Sequence, residues 1–271
     1  MAASDKHFAG SIPDLYERYL VPLIFAPYAR DLAERLAAHA PQAVLETAAG
    51  TGVVTRALAA RLSPRARIVA SDLNQPMLDR ARAQLADDAR IEWQQADALN
   101  LPFADQSFDA VACQFGVMFF PDRVQGYKET RRVLKPGGRF FFSVWDRIAD
   151  NEFADAITEA LAAMFPDDPP RFLARTPHGY HDPDRIRADL DAAGFSSIAI
   201  DAVEHRSKAG SARDPAIGYC QGTPLRSEIE ARGAARLEEA TERAAEAVAR
   251  RFGPGPVDGR IRALVITATR G

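Results

Sequence analysis

Val44-Leu45-Glu46-Thr47-Ala48-Ala49-Gly50-Thr51-Gly52 sets the terms on which the rest of the chain is read. A short apolar strand runs into an acidic residue and a glycine turn, and a helical pattern follows at once from Val53. Gly50 and Gly52 carry no Cβ, so a ligand can approach the backbone closely there. A ligand lying across the turn faces the open amides of the next helix's N-terminus. Such a turn is by itself a common strand-to-helix connection, and its meaning depends on what stands at the ends of the later strands.

From Ala43 onward strands and helices alternate. Strand patterns occupy residues 43–47, 67–71, 91–95, 108–114 and 139–145, with helical patterns at 53–62, 76–85 and 122–134 between them. Met77, Ala81 and Leu85 recur every four residues, a stripe that faces a sheet. Lys135-Pro136-Gly137-Gly138 stops the third helix and turns into the fifth strand. This alternation calls for an α/β fold, a parallel sheet wound by right-handed crossovers. Ligands of such sheets sit beyond the carboxyl ends of the strands, near the switch in strand order, and the opening turn lies at one of those ends.

The 271 residues are 47% hydrophobic and 26% charged, enough for a sizeable core in one or two domains. A net charge of −3 gives no global pull toward nucleic acid or anionic membrane. Met1 to Gly10 holds Asp5 and Lys6 and no apolar run, which argues against a secretory signal. No window approaches the roughly 18 apolar residues of a membrane span. Cys113 and Cys220 stand far apart, the pattern of buried thiols in a reducing, cytoplasmic setting rather than of a disulfide or a metal site.

The flanks are less regular. The first forty residues read as helical, punctuated by Pro13 and Pro22, with the clearest helix over 27–40 and Leu32 and Leu36 one turn apart. After Trp145, Asp182-Pro183 reads as N-cap and first turn of a helix ending near Ala193, with Gly194 as its stop. Strand patterns return at 197–205 and 261–269. Residues 207–257 between them are too many for a hairpin loop and read as a small helical insertion, closed by Gly253-Pro254-Gly255-Pro256. Glu238, Glu239, Glu242, Arg243 and Glu246 place both signs at helical spacing, a solvated face first and a partner surface second.

Three polar residues fall where strand ends belong. Asp72 closes the second strand, twenty residues after Gly52, and a carboxylate there accepts hydrogen bonds from both hydroxyls of a ribose. Asp97 follows the third strand, placed for an exocyclic amine such as adenine's, and Gln114-Phe115-Gly116 follows the fourth, toward the reactive end of a bound nucleoside. Plainer roles stand beside these: Asp72 as a helix N-cap, Asp109 as an anchor for the strand entrance, Cys113 as packing within an apolar strand.

On these residues the chain resembles the class I S-adenosylmethionine-dependent methyltransferases, and within them the small-molecule branch that includes the ubiquinone/menaquinone C-methyltransferases. The resemblance runs from about Ala43 to Trp145. It includes Leu45-Glu46-Thr47-Ala48-Ala49-Gly50-Thr51-Gly52, Asp72-Leu73-Asn74-Gln75-Pro76-Met77-Leu78 and Asp97-Ala98-Leu99-Asn100-Leu101-Pro102-Phe103. Ser107-Phe108-Asp109 and Leu134-Lys135-Pro136-Gly137-Gly138-Arg139 complete it. It implies a doubly wound, seven-stranded, mostly parallel sheet, a Rossmann-like methyltransferase fold whose last two strands form the reversed edge. The chain then divides into an N-terminal helical lid at 1–42, the methyltransferase domain at 43–206 and 258–271, and an acceptor-side helical cap at 207–257.

By the same likeness, Glu46 steadies the turn and the methionine amino end of S-adenosylmethionine, while Gly50 and Gly52 admit the cofactor. Asp72 holds the ribose, Leu73 and Met77 flank adenine, and Asp97 and Ala98 address its amine and ring. Gln114 presents its backbone carbonyl to the methionine moiety. Tyr19, with Tyr16, lies in the segment that folds over the cofactor as a lid. Ala48 departs from the family, in which a glycine commonly opens the turn; a methyl group fits there if φ stays negative.

The implied reaction is methyl transfer from a sulfonium to a small-molecule O-, C- or N-nucleophile by in-line displacement, with S-adenosylhomocysteine as product. The sulfonium is already activated, so alignment and exclusion of water are the protein's main tasks. No catalytic residue follows from the sequence. His178 and His181 are the candidates for a general base, beside the plainer reading that they order the loop before the helix at Asp182. His7, His39 and His205 show no partner pattern. The acceptor pocket is expected between the N-terminal segment, residues 114–121 and the insertion, with Met118, Phe119 and Phe120 as an apolar wall or as core.

Three rival readings stay open. A nicotinamide dehydrogenase shares the turn and the ribose acid, although its usual third glycine falls at Thr55. A nucleic-acid methyltransferase shares the cofactor half but adds a basic face, and no Asn-Pro-Pro-Tyr-type motif follows the fourth strand. A non-catalytic S-adenosylmethionine-binding protein carries the same motifs. No nucleic-acid partner, metal or membrane insertion is expected, and the oligomeric state is not legible.

Overall fold

A computed structural model describes residues 10–233 and 235–271, so that His7 lies outside the described residues. Helix α1 (Ile12–Leu15) leads into a π-helix over Tyr16–Phe25 and then α2 (Ala26–Ala37). Pro22 sits within the π-helix and does not interrupt it: the wider turn takes up a residue that has no N–H to give. Next come β1 (Ala43–Glu46), α3 (Val53–Arg61), β2 (Arg67–Asp72), α4 (Gln75–Gln84) and β3 (Ile91–Gln95). They are followed by β4 (Phe108–Gln114), α5 (Arg123–Val133) and β5 (Leu134–Trp145). Beyond Trp145 stand α6 (Glu152–Met164), α7 (Phe172–Arg175), α8 (Pro183–Ala192) and β6 (Phe195–Ala209). The chain closes with α9 (Arg213–Gln221), α10 (Leu225–Ala231), α11 (Arg236–Phe252) and β7 (Val257–Arg270).

The strands form one seven-stranded sheet in the order β3-β2-β1-β4-β5-β7-β6. β1 pairs in parallel with β2 and β4, β2 with β3, and β4 with β5. Val44, Leu45, Ile68, Val69, Ala110 and Val111 are buried on successive positions, because helices cover both faces and each strand needs a continuous apolar run. Sequence order reverses between β1 and β4, so their carboxyl ends flank the switch point of a doubly wound sheet.

β5 differs from the sequence reading. It begins at Leu134, which pairs with Phe108, and the register shifts between Phe108 and Ala110. Lys135-Pro136-Gly137-Gly138 is therefore an irregularity inside the strand, absorbed by Gly137 at φ +75°. β6 and β7 also run past 197–205 and 261–269. Residues 206–208 and 258–260 of these extensions include no apolar side chain and are joined by an Arg206–Asp258 ion pair at 2.7 Å, so apolar alternation does not mark them.

Packing divides the chain into two compact units. The first comprises residues 26–144, 180–202 and 264–271, and the second residues 145–179 and 203–263 with the segment ending at Phe25. Helix α2 belongs to the first unit, where Tyr28, Leu32 and Leu36 are buried. The insertion helices share the second unit with α6: Phe153 meets Phe252 with ring centroids 5.0 Å apart, and Arg251 pairs with Asp155 at 3.1 Å. Among the described residues no helix is long and apolar enough to cross a membrane.

Candidate cofactor site

The turn after β1 is built from left-handed residues. Thr47 N donates to Ala112 O at 2.9 Å, which carries the β1–β4 ladder one residue beyond the strand. Ala48 then stands at φ +53°, Gly50 at +56° and Gly52 at +84°. The expectation of a negative φ at Ala48 is thus overturned. An L-residue in this conformation costs roughly 1–2 kcal/mol relative to glycine. The chain tolerates the strain because the Ala48 methyl nests where Gly116 has no side chain: a Cβ on Gly116 would come within 2.5 Å of Ala48 Cβ and 2.7 Å of Cys113 Sγ. Phe115 is left-handed as well, at φ +51°, with its ring edge-on to Tyr28 at 5.4 Å. Both strand ends at the switch point therefore finish in strained, non-glycine residues, a condition that collects at ligand sites.

Asp72 at the end of β2 ties the turn to its neighbours. Its Oδ2 accepts from Gly50 N at 2.9 Å and its Oδ1 from Asn74 N at 2.8 Å. The N-cap of α4 is Asn74, so Asp72 is not the cap that the plainer reading allowed. Burial raises the Asp72 carboxyl above the usual carboxylate range despite these amide hydrogen bonds. Asn74 Nδ2 also donates to its Oδ1, at 3.4 Å. Beside it, Leu73 is 45% exposed, the one large apolar side chain so exposed among the described residues. Met77 is buried on α4. The loop after β3 is tied to the same place: Ala96 N donates to Asp72 O at 3.0 Å and Gln95 Nε2 to Leu73 O at 2.9 Å. Asp97 in that loop is exposed and Ala98 half-buried; Asp97 Oδ1 accepts from Leu99 N at 2.9 Å.

Glu46 lies behind the turn, fully buried, with Thr55 Oγ1 donating to its Oε2 at 2.6 Å. Burial pushes its carboxyl up to about 8. Gln114 is buried at the end of β4, in register with Ser143 on β5. A left-handed glycine turn, the Asp72 carboxyl, exposed Leu73 and buried Glu46 are thus brought together at the carboxyl ends of β1 and β2.

Residues 44–138, all within the first unit, match a methyltransferase domain family. The demethylmenaquinone methyltransferase of Clavibacter sepedonicus is 35% identical over 177 residues, 62% of this chain and 69% of that protein. The chain belongs to the class I S-adenosylmethionine-dependent methyltransferases. The demethylmenaquinone methyltransferase of Deinococcus radiodurans is 42% identical over 140 residues, 51% of this chain; the match spans 58% of that relative's length. The YcgJ protein of Bacillus subtilis shares the fold, with a TM-score of 0.56 at 19% identity, covering 89% of this chain and 98% of that one. The methyl donor of this methyltransferase is S-adenosylmethionine.

Asp109 anchors the strand entrance: its Oδ2 accepts from Gln42 N at 2.9 Å and Ala43 N at 2.8 Å, and Lys135 Nζ pairs with its Oδ1 at 2.6 Å. Cys113 is a packing residue, its thiol pushed up to about 12 by burial. Met118 and Phe120 are core, and Phe119 is half-buried. His39 does have partners, the Arg139 guanidinium and the Phe141 ring at 5.6 Å. Tyr19 is half-buried under the Arg18 guanidinium at 5.2 Å, and Tyr16 stacks on Phe25 at 4.8 Å; both belong to the second unit. His178, also there, is buried, donates Nδ1–H to Asp146 O at 2.8 Å and lies 6.1 Å from the Trp145 ring. His181 is half-buried in the first unit. The sequence reading passed over Gln125, Glu129 and Arg132 on α5, although their spacing of four and three marks one helix face.

Proposed function

We propose that this methyltransferase carries the methyl group of S-adenosylmethionine to a small quinone-class acceptor. The Asp72 carboxylate carries the reading: it holds the Gly50 amide at 2.9 Å and stands beside exposed Leu73. Asp72 accepts the ribose hydroxyls, Leu73 and Met77 flank adenine, and Asp97 and Ala98 meet its amine and ring edge. Gly50 leaves the backbone open beneath the nucleoside, whereas Gly52 lets α4 pack close, since a Cβ there would stand 3.0 Å from Ala81 Cβ. Gln114 offers its carbonyl to the methionine moiety, and Glu46 balances the ammonium. When bound, S-adenosylmethionine supplies a methyl group on a sulfonium, so the chain's work is alignment and exclusion of water.

The acceptor class rests on the names of the relatives, both demethylmenaquinone methyltransferases. If the acceptor loses a proton at attack, His178 and His181 are the candidate bases, and the His178 Nδ1–H is fixed on the Asp146 carbonyl. Tyr19 is proposed to close over the cofactor. A net charge of −3 argues against nucleic acid as the substrate, and two free, buried cysteines suit a cytoplasmic setting.

Calorimetry is expected to give a micromolar-range dissociation constant for S-adenosylhomocysteine, and Asp72→Ala to weaken binding by about 1–3 kcal/mol, the scale of lost charged hydrogen bonds. Tight NADH binding without S-adenosylhomocysteine binding overturns the cofactor assignment. Labelled methyl groups should appear in demethylmenaquinol, and label in tRNA instead would overturn the acceptor class.

A further inference from the structure

We infer that one face of α5, formed by Gln125, Glu129 and Arg132, positions the loop at 97–105 so that Asp97 and Ala98 can read the edge of adenine; this rests on the adenine placement proposed above. The loop has little structure of its own. Beyond an isolated bridge between Asp97 and Asn100, it is anchored by buried Leu101 and by the Phe103 ring edge-on to Phe108 at 5.4 Å. Four of its backbone groups, Leu99 O, Leu101 N, Leu101 O and Phe103 O, turn to α5. Gln125 Nε2 donates to Leu99 O at 3.2 Å, and Leu101 N donates to Glu129 Oε2 at 2.9 Å. Arg132 Nη2 donates to Leu101 O at 2.9 Å, while its Nη1 donates to Phe103 O at 2.7 Å and Asp105 Oδ1 at 2.8 Å.

Arg132 is itself aimed. Its Nε and Nη2 fork onto the two oxygens of Glu129 at 2.9 and 2.8 Å, which uses every N–H of the guanidinium. The Glu129 side chain is 14% exposed and that of Arg132 30%, so the pair is partly buried. The Arg132 hydrogen bonds hold the Glu129 carboxyl below its usual range, and Glu129 therefore accepts the Leu101 amide as an anion. The grip reaches Asp97 in two steps: Gln125 fixes the Leu99 carbonyl, and the Leu99 amide orients Asp97 Oδ1. At its other end the loop hangs from Asp72 and Leu73 through Ala96 N and Gln95 Nε2. The elements that would touch ribose and adenine are thus joined to a single helix face, whose opposite side (Gly126, Tyr127, Thr130, Val133) is buried.

A purely structural clamp would cost stability alone, whereas a positioning clamp also sets discrimination at the purine 6-position. The measurement is the ratio of dissociation constants for S-inosylhomocysteine, in which a carbonyl replaces the amine, and S-adenosylhomocysteine. Wild-type protein should prefer the adenosyl compound. Gln125→Ala and Arg132→Lys should shrink that preference about tenfold, the worth of one well-made hydrogen bond. Asp72→Ala should weaken both compounds alike, and thermal melting of Gln125→Ala should stay near wild type. An undiminished preference in both α5 variants overturns the inference while leaving the cofactor assignment intact. Equal affinity of wild type for the two compounds overturns the adenine placement and the inference with it, and binding of neither overturns the proposed function.

Discussion

Ala48 shows how much a single residue depends on a partner far along the chain. Its left-handed φ of +53° is tolerated because Gly116 leaves room for the methyl group. Ala48→Gly should therefore stabilise the fold by about 1 kcal/mol, since glycine adopts this conformation without the Cβ clash, less its greater unfolded-state entropy. Gly116→Ala should cost about 1–3 kcal/mol through overpacking. In the Ala48→Gly background that cost should fall without vanishing, because Cys113 Sγ still stands 2.7 Å from the new Cβ. Urea denaturation of the two single variants and the double variant decides it, and strict additivity would refute the coupling. The sequence displayed Ala48 and Gly116 but not their contact. Backbone sign at a non-glycine residue is settled by tertiary neighbours, so it was legible only as a condition.

At the scale of elements, legibility tracked burial. β1, β2 and β4 were readable because strands covered on both faces need unbroken apolar runs, and the helices between them show their stripes. The start of β5 and the extensions of β6 and β7 were not, since glycine, proline and paired charges stand there in place of an apolar run. The α5 face was missed for a related reason: polar helix residues look solvated until the loop they grip is seen. Asp109 was readable as an anchor, and its chemistry predicts a clean separation of stability from binding. It satisfies the amides of Gln42 and Ala43 at the amino end of β1, whereas the turn after Glu46 lies at the carboxyl end. Asp109→Ala should destabilise the chain by about 1–3 kcal/mol by leaving those amides unpaired. The dissociation constant for S-adenosylhomocysteine should stay at its wild-type value; a large rise would show that the two ends of the sheet are not independent.

Across the whole molecule, the burial of one acid by the sheet and its helices makes folding and binding respond to pH in opposite ways. Glu46 holds its proton in the folded chain up to about pH 8, against an ordinary value of 4.5. Below the ordinary value both folded and unfolded states are protonated, and the protonated carboxyl's contribution is fully present. As pH rises from there the unfolded state ionises first, so stability falls until the folded carboxyl ionises near 8. Asp109 and Glu129 have the opposite sign. Burial pushes Asp109 up, but Lys135 and the Ala43 and Gln42 amides outweigh it, and Arg132 lowers Glu129; their contributions are lost as pH falls through their depressed values. The free protein should thus be most stable on the acidic side of neutrality, and Glu46→Gln should flatten the decline between pH 5 and 8 in thermal melts. In the proposed complex the ammonium of the cofactor favours ionised Glu46, so binding below pH 8 must release a proton. Affinity should then rise with pH toward 8, by at most about tenfold per unit, and calorimetry in buffers of different ionisation enthalpy should register the released proton. Glu46→Gln should bind with a shallower slope, the remainder belonging to Asp72, whose carboxyl burial also raises. Parallel slopes in wild type and variant would mean that another group meets the ammonium, and would free Glu46 for a purely structural part beside Thr55.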